Sequence, residues 1–307
     1  MRRPVRLIVL SRSPRLHTTR RLVESARALG HEPRVIDPLE VELGLGGEAP
    51  ALYWRRRSFP AADVVIPRIG PSIHQYGLSV LKQLELKGVP LLNGSAALAA
   101  SRNKMRCLQL LAAAGVPVPR TVMASDPSGL EELVKLVGGV PVLVKLLSAD
   151  GKSGVMVCES LQSLEAALEA ILGLGQNIVV QQYLQGGRGR ELRALVVGGR
   201  VVAALRRQRR PGRGGAPQPR ARFRVAELSA EQERLAVEAA RVLDLQACAV
   251  DMLDVTGGPR VFEVNGSPSI RDAEAACGVD VARLVVERAV ALAGGRAPTA
   301  PGRTPGA

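Results

Sequence analysis

The stretch that decides the fold is VDMLDVTGGPRVFEVNGSPSI, residues 250–270. It reads as two apolar strands joined by a Thr-Gly-Gly-Pro turn at 256–259. Side chains alternate faces along a strand, so Glu263 and Asn265 point the same way. A hairpin closed at Gly257-Gly258 brings Asp251 alongside them. Val261, Phe262 and Val264 make the second strand a buried one, where unpaired carboxylates are costly. Two carboxylates and an amide oxygen converging from neighbouring strands form the hard-oxygen set that Mg2+ favours when it also holds phosphates.

Outward from this hairpin, the 307 residues suffice for two or three small lobes with real cores. With one Trp, three Tyr and three Phe, those cores must be built mainly from Leu, Val and Ala. The start, MRRPVRLIVLSRSPR, has too short an apolar run for a signal peptide and no cleavage site after it. No run approaches the roughly 20 apolar residues of a membrane span. Cys107, Cys158, Cys248 and Cys277 lie far apart with no Cys-x-x-Cys and no flanking histidine. That pattern argues against a zinc site or a disulfide framework and for a reducing, cytoplasmic setting.

The formal charge of +14 is uneven. Arg206, 207, 209, 210, 213, 220, 222 and 224 fall in one acid-free segment rich in Gly and Pro, which reads as a mobile basic loop. Its partner would be an acidic peptide, a nucleotide or nucleic acid; with Phe223 as the one aromatic among the arginines, stacking on single strands is disfavoured.

Along the chain, strands are expected at 5–10, 35–36, 64–66 and 89–92, with helices at 19–29 and 75–87. This is an α/β lobe with a parallel sheet, ending near Asn93-Gly94. Helices at 95–100 and 103–114 are followed by a strand (120–123), a helix (128–137), strands at 142–147 and from 155, and a helix at 161–172. Strands at 178–184, 191–197 and 200–205 precede the basic segment, a helix at 229–244, the hairpin and a last helix at 279–293. The expected units are therefore 1–93, 94–180 and 181–294, with a disordered Pro/Gly-rich tail at 295–307.

A nucleotide site needs lysines for phosphate and a yielding glycine loop. Lys145 ends the apolar strand Val142-Leu143-Val144, and Ser148-Ala-Asp-Gly-Lys-Ser-Gly154 follows. Gly151 and Gly154 let backbone N–H groups close over phosphate oxygens. There is no GxxxxGK[ST] and no GxGxxG. Lys104 lies near a helix start, where it can assist phosphate binding. Gln181-Gln-Tyr-Leu184 ends a strand whose backbone can pair with an adenine edge, and Glu191 is placed to take ribose hydroxyls.

The order of these features resembles the ATP-grasp superfamily, and in particular its RimK branch of ligases that add glutamate to a protein C-terminus. The likeness runs over about residues 4–293. It is carried by SRSPRLHTTRRL (11–22), VIDPL (35–39), VIPRIG (65–70), SRNKMRCLQLLAAAGV (101–116), VGGVPVLVKL (137–146), VQQYL (180–184), ELRALVVGGRVVAAL (191–205), VDML (250–253) and FEVNGSPSI (262–270). The resemblance implies an ATP-grasp fold with an N-terminal open α/β lobe, a small central α+β lobe and a C-terminal lobe. It implies that Lys104 and Lys145 bind ATP phosphates under the loop of Gly151 and Gly154. Gln182 and Tyr183 would form the adenine hinge and Glu191 would hold the ribose. Asp251, Glu263 and Asn265 would bind two Mg2+, with Mn2+ able to substitute, and Arg207 would lie near the transferred phosphoryl group. The implied activity is ATP-dependent ligation of an amino acid, glutamate foremost, to a protein or peptide acceptor, by an enzyme expected to be a homo-oligomer. Gly212–Arg220 lacks the Phe-Arg-Ser-Asn of the family, which motivates one alternative, a ligase for a small molecule or carrier protein; the arginine-rich loop motivates another, a non-catalytic nucleotide- or RNA-binding protein.

Overall fold

The structure, a computed structural model, describes residues 3–47, 51–124, 129–146, 154–172, 178–184, 191–208 and 222–294. The N-terminal lobe opens with β1 (Arg6–Leu10), α1 (His17–Ala28) and β2 (Glu32–Ile36), continues through β3 (Val41–Gly44), β4 (Ala51–Trp54), β5 (Arg57–Ser58) and β6 (Val64–Pro67), and ends with α2 (His74–Leu86). Strands β2, β1 and β6 form a parallel sheet in that order, as the β–α alternation implies.

Two features depart from expectation. Residues 89–92 make only a bridge from Leu91 to Val65 and not a strand. Pro90 has no N–H to give, so its carbonyl accepts from Val65 N while Leu92 N donates to Val65 O. Strands β3, β4 and β5 form an unforeseen antiparallel sheet. Its tight turn puts Arg55 and Arg56 at φ 50° and 62°, a conformation usually announced by Asn-Gly. Glu40 takes both Arg55 Nε and Nη2, at 2.9 and 2.7 Å, and holds the turn without that signature.

Helices α3 (Ser95–Arg102) and α4 (Lys104–Ala113) follow. The central sheet then comprises β7 (Thr121–Ala124), β8 (Val142–Leu146), β9 (Val155–Cys158) and β10 (Ile178–Gln182), flanked by α5 (Leu130–Val137) and α6 (Leu161–Leu172). Its order is β7-β10-β8-β9, all antiparallel. The C-terminal sheet is β13-β12-β11-β14-β15, built from β11 (Glu191–Val197), β12 (Arg200–Gln208), β13 (Arg222–Val225), β14 (Ala247–Leu253) and β15 (Arg260–Asn265). Helix α7 (Ala230–Val242) carries a Ser229/Gln232 capping box, and α8 (Arg271–Cys277) and α9 (Val281–Gly294) close the chain. The tail lies outside the described residues.

The basic segment is also corrected at its ends. Arg206, Arg207 and Gln208 pair with Arg224, Phe223 and Arg222 as adjacent strands. Phe223 packs on the core, which draws the flanks of the segment into the sheet. Residues 209–221 lie outside the described set.

Packing divides the molecule differently from chain order. Leu10 and Ile36 of the first lobe share one core with Leu98, Cys107 and Leu111 of α3 and α4 and with Leu192, Val250 and Val264 of the C-terminal sheet. The central sheet has its own core of Val134, Val137, Val142, Val144, Leu164, Leu168 and Val180. Asn93, at the expected end of the first lobe, is buried. Its Nδ2 donates to the carbonyls of Ala247 and Gly266 at 2.8 Å, while its Oδ1 accepts from Gln246 N and Ala247 N at 2.8 and 3.2 Å. One amide thus uses all its hydrogen-bonding capacity to clamp the first lobe to the C-terminal hairpin.

Candidate active site

The hairpin β14–β15 puts Asp251 directly across from Glu263 and Ala249 across from Asn265. Facing residues in an antiparallel pair share a side, so Asp251, Glu263 and Asn265 lie on one face. Gly257 and Gly258 adopt φ 88° and 95° at the turn, which side-chain-bearing residues rarely accept. Gly266 is required for another reason: a Cβ there would meet Leu98 Cδ2 at 2.8 Å and Leu245 Cδ2 at 2.9 Å. The chain is pressed against α3 immediately after Asn265, whose Oδ1 accepts from Ser267 N at 2.9 Å.

Asp251 is buried and held by Arg193 of β11, Nε to Oδ1 and Nη2 to Oδ2, each at 2.7 Å. The guanidinium also lies 5.6 Å over the Phe223 ring. Sequence reasoning did not single out Arg193. The available sign was its spacing, two residues beyond Glu191 on a strand, which places both side chains on one face.

Lys104 begins α4 behind an Asn103 cap, and its Nζ stands 3.9 Å from Glu263 Oε2. Lys145, the fourth residue of β8, is pushed down to about 8 by burial and by repulsion from Lys104, with Glu263 opposing the shift. The structure therefore brings Lys104, Lys145, Glu263, Asp251 and Asn265 into one neighbourhood. Among the described residues, no three His, Cys, Asp or Glu side chains gather to hold a metal by themselves. Two carboxylates and an amide beside two lysines fit a divalent cation that completes its shell with phosphate oxygens and water.

Glu191 accepts from Arg207 Nη1 at 3.1 Å, and Arg207 Nε is buried with no hydrogen-bond partner among the described residues. Gln182 and Tyr183 line a separate cavity of about 400 Å3, with Gly138, Pro141 and Thr256 among its other walls. Gln182 N donates to Arg120 O at 2.8 Å, which ties the end of β10 to the start of β7. Gly154 is exposed, and Gly151 lies outside the described residues. Lys104, Glu263 and Asn265 line a cleft of about 1010 Å3.

The chain's relatives agree with this architecture. Residues 5–98 match the RimK PreATP-grasp domain, and residues 101–289 match the RimK-like ATP-grasp domain. A protein of Teredinibacter turnerae named "Probable alpha-L-glutamate ligase" is 42% identical over 290 residues, covering 92% of this chain and 94% of that protein. The ATP-grasp ligase PsnB, solved with its minimal precursor, superposes with a TM-score of 0.74 at 23% identity, over 94% of this chain and 99% of PsnB. A RimK domain ATP-grasp protein from Sphaerobacter thermophilus gives 0.73 at 24% identity, over 93% of this chain and 99% of that one. The two domain matches and the 42% identity over most of both sequences make the chain a member of the RimK-like ATP-grasp family of ATP-dependent ligases.

Proposed function

We propose that this ligase joins an amino acid, L-glutamate foremost, to the C-terminal carboxylate of a protein or peptide. The observation that carries this function is the meeting of Asp251, Glu263 and Asn265 with Lys104 and Lys145 beside a large cleft. The glutamate-ligase name of its relatives and the precursor peptide with which PsnB was also solved support the substrate classes.

The acceptor carboxylate attacks the terminal phosphorus of ATP, giving an acylphosphate and ADP. The amine of the incoming amino acid then displaces phosphate to form the amide. The protein's part is positioning and charge neutralisation. Asp251, Glu263 and Asn265 would hold two Mg2+, or Mn2+ in their place, which supply charge neutralisation at the phosphates. Lys104 and Lys145 would bind phosphate oxygens, and Arg207 would face the moving phosphoryl group. Gln182 and Tyr183 would meet adenine, Glu191 the ribose, and the Gly151–Gly154 loop would exclude water. A cytoplasmic homo-oligomer with an acidic acceptor completes the proposal. The uneven positive charge is complementary to such an acceptor.

The test is phosphate release by purified enzyme with MgATP, glutamate and a cell extract, followed by mass spectrometry of the products. Release that needs both an amino acid and an acceptor, with glutamate found on a C-terminus, is expected. Turnover indifferent to amino acids would overturn the proposal.

A further inference from the structure

The cleft that reaches Lys104, Glu263 and Asn265 is also lined by Arg68, His74 and Arg102. The function proposed above gives this second trio no task. Arg68 follows β6 and is half-buried, its backbone N donating to Leu10 O at 2.8 Å. Arg102 ends α3 and spends one N–H on Ile69 O at 2.7 Å. Among the described residues, neither guanidinium has a carboxylate within ion-pair distance; the cleft acids Glu263 and Asp272 pair with neither. Burial and the charge of Arg102 press Arg68 down to about 10, and the same two causes lower His74. His17, on the same cleft, has its Nδ1 buried without a hydrogen-bond partner among the described residues.

Half-buried guanidiniums that repel each other and lack a counter-ion are a standing cost, because buried charges are ordinarily paired. Each presents a planar fork of N–H donors matched to a carboxylate. We infer that Arg68 and Arg102 form a carboxylate subsite holding a non-reacting carboxylate of a substrate in the cleft shared with Lys104, Glu263 and Asn265. The inference deepens the ligase function proposed above and rests on it. An amino acid that reacts through its amine keeps its own carboxylates free throughout ligation, and these need a holder. An acidic acceptor carries the same chemistry.

Isothermal titration of the full chain, with and without Mg2+ and a non-hydrolysable ATP analogue, uses two probes: L-glutamate and a triglutamate peptide. Wild type should bind at least one of them. Arg68→Gln and Arg102→Gln should each weaken that probe by about tenfold or more, the effect of losing a charged hydrogen bond, with analogue binding unchanged. Weakened glutamate alone assigns the subsite to the incoming amino acid, and weakened triglutamate alone assigns it to the acceptor. If the Gln variants do not fold, Arg68→Lys and Arg102→Lys keep the charge, lose the fork and should still bind more weakly. Wild type that binds neither probe, or folded variants that bind as wild type does, overturn the subsite. Phosphate release by wild type is read separately. Amino-acid-dependent turnover with indifferent variants sinks the subsite alone, and binding without such turnover sinks the ligase proposal.

Discussion

Arg193 grips Asp251 through both carboxylate oxygens at 2.7 Å, directly across the hairpin from Glu263. The pair joins β11 to β14 and fixes the orientation of the more deeply buried acid of the candidate metal set.

Beside Arg193 the Asp251 side chain is only 10% exposed, and removing the guanidinium takes away its ion-pair partner. Arg193→Gln should cost about 2–4 kcal/mol of stability, since breaking a buried pair strands a charge. Mg2+ alone should then raise the melting temperature of the variant more than that of wild type. Equal thermal shifts on adding Mg2+ would show that Asp251 does not meet the cation.

Lys145 holds its proton less firmly in the folded state than in the unfolded chain. Between about pH 8 and the ordinary lysine value of about 10.4 the unfolded chain binds more protons, so this residue's penalty falls as pH rises. Lys145→Met should therefore stabilise the nucleotide-free protein by about 1–3 kcal/mol at pH 7. The gain should shrink above about pH 8 and vanish near pH 10.5. The same substitution should abolish measurable turnover. Thermal denaturation across pH checks the first outcome and phosphate release the second.

Asn93→Ala removes four hydrogen bonds between the first lobe and residues 246–247 and 266. Two carbonyls and two N–H groups lose partners in or near the core, a loss of about 2–4 kcal/mol. Chemical denaturation should show it, while Asn93→Asp should fail equally for want of donors to Ala247 and Gly266.

Gly266→Ala forces a methyl against Leu98 and Leu245. Overpacking of this kind costs about 1–3 kcal/mol. The displaced backbone carries Asn265 with it, and misplacement near 1 Å can cost roughly a hundredfold in rate. Turnover should fall more steeply than stability; a change in stability alone would separate Asn265 from the chemistry.

Much of the fold was legible because its determinants are local. The parallel strands Arg6–Leu10 and Val64–Pro67 announce themselves as buried apolar runs, and α6 runs over the residues its spacing predicts. Residues 89–92 misled because apolar content outweighed the missing N–H of Pro90. The sheet at 41–58 was missed because its turn is held by the distant Glu40 and carries none of the usual turn residues.

By itself, the sequence determined the β14–β15 hairpin and the shared face of Asp251, Glu263 and Asn265. The two-residue period of a strand and two glycines at a turn settle both within twenty residues. Tertiary structure alone decided that Arg193 would lock Asp251 from 58 residues away and that Asn93 would clamp a loop 153 residues on. It alone left Arg68 and Arg102 facing one cleft with no carboxylate partner among the described residues. Those outcomes depend on which groups are desolvated together when separate sheets pack, and no local pattern in the chain encodes that.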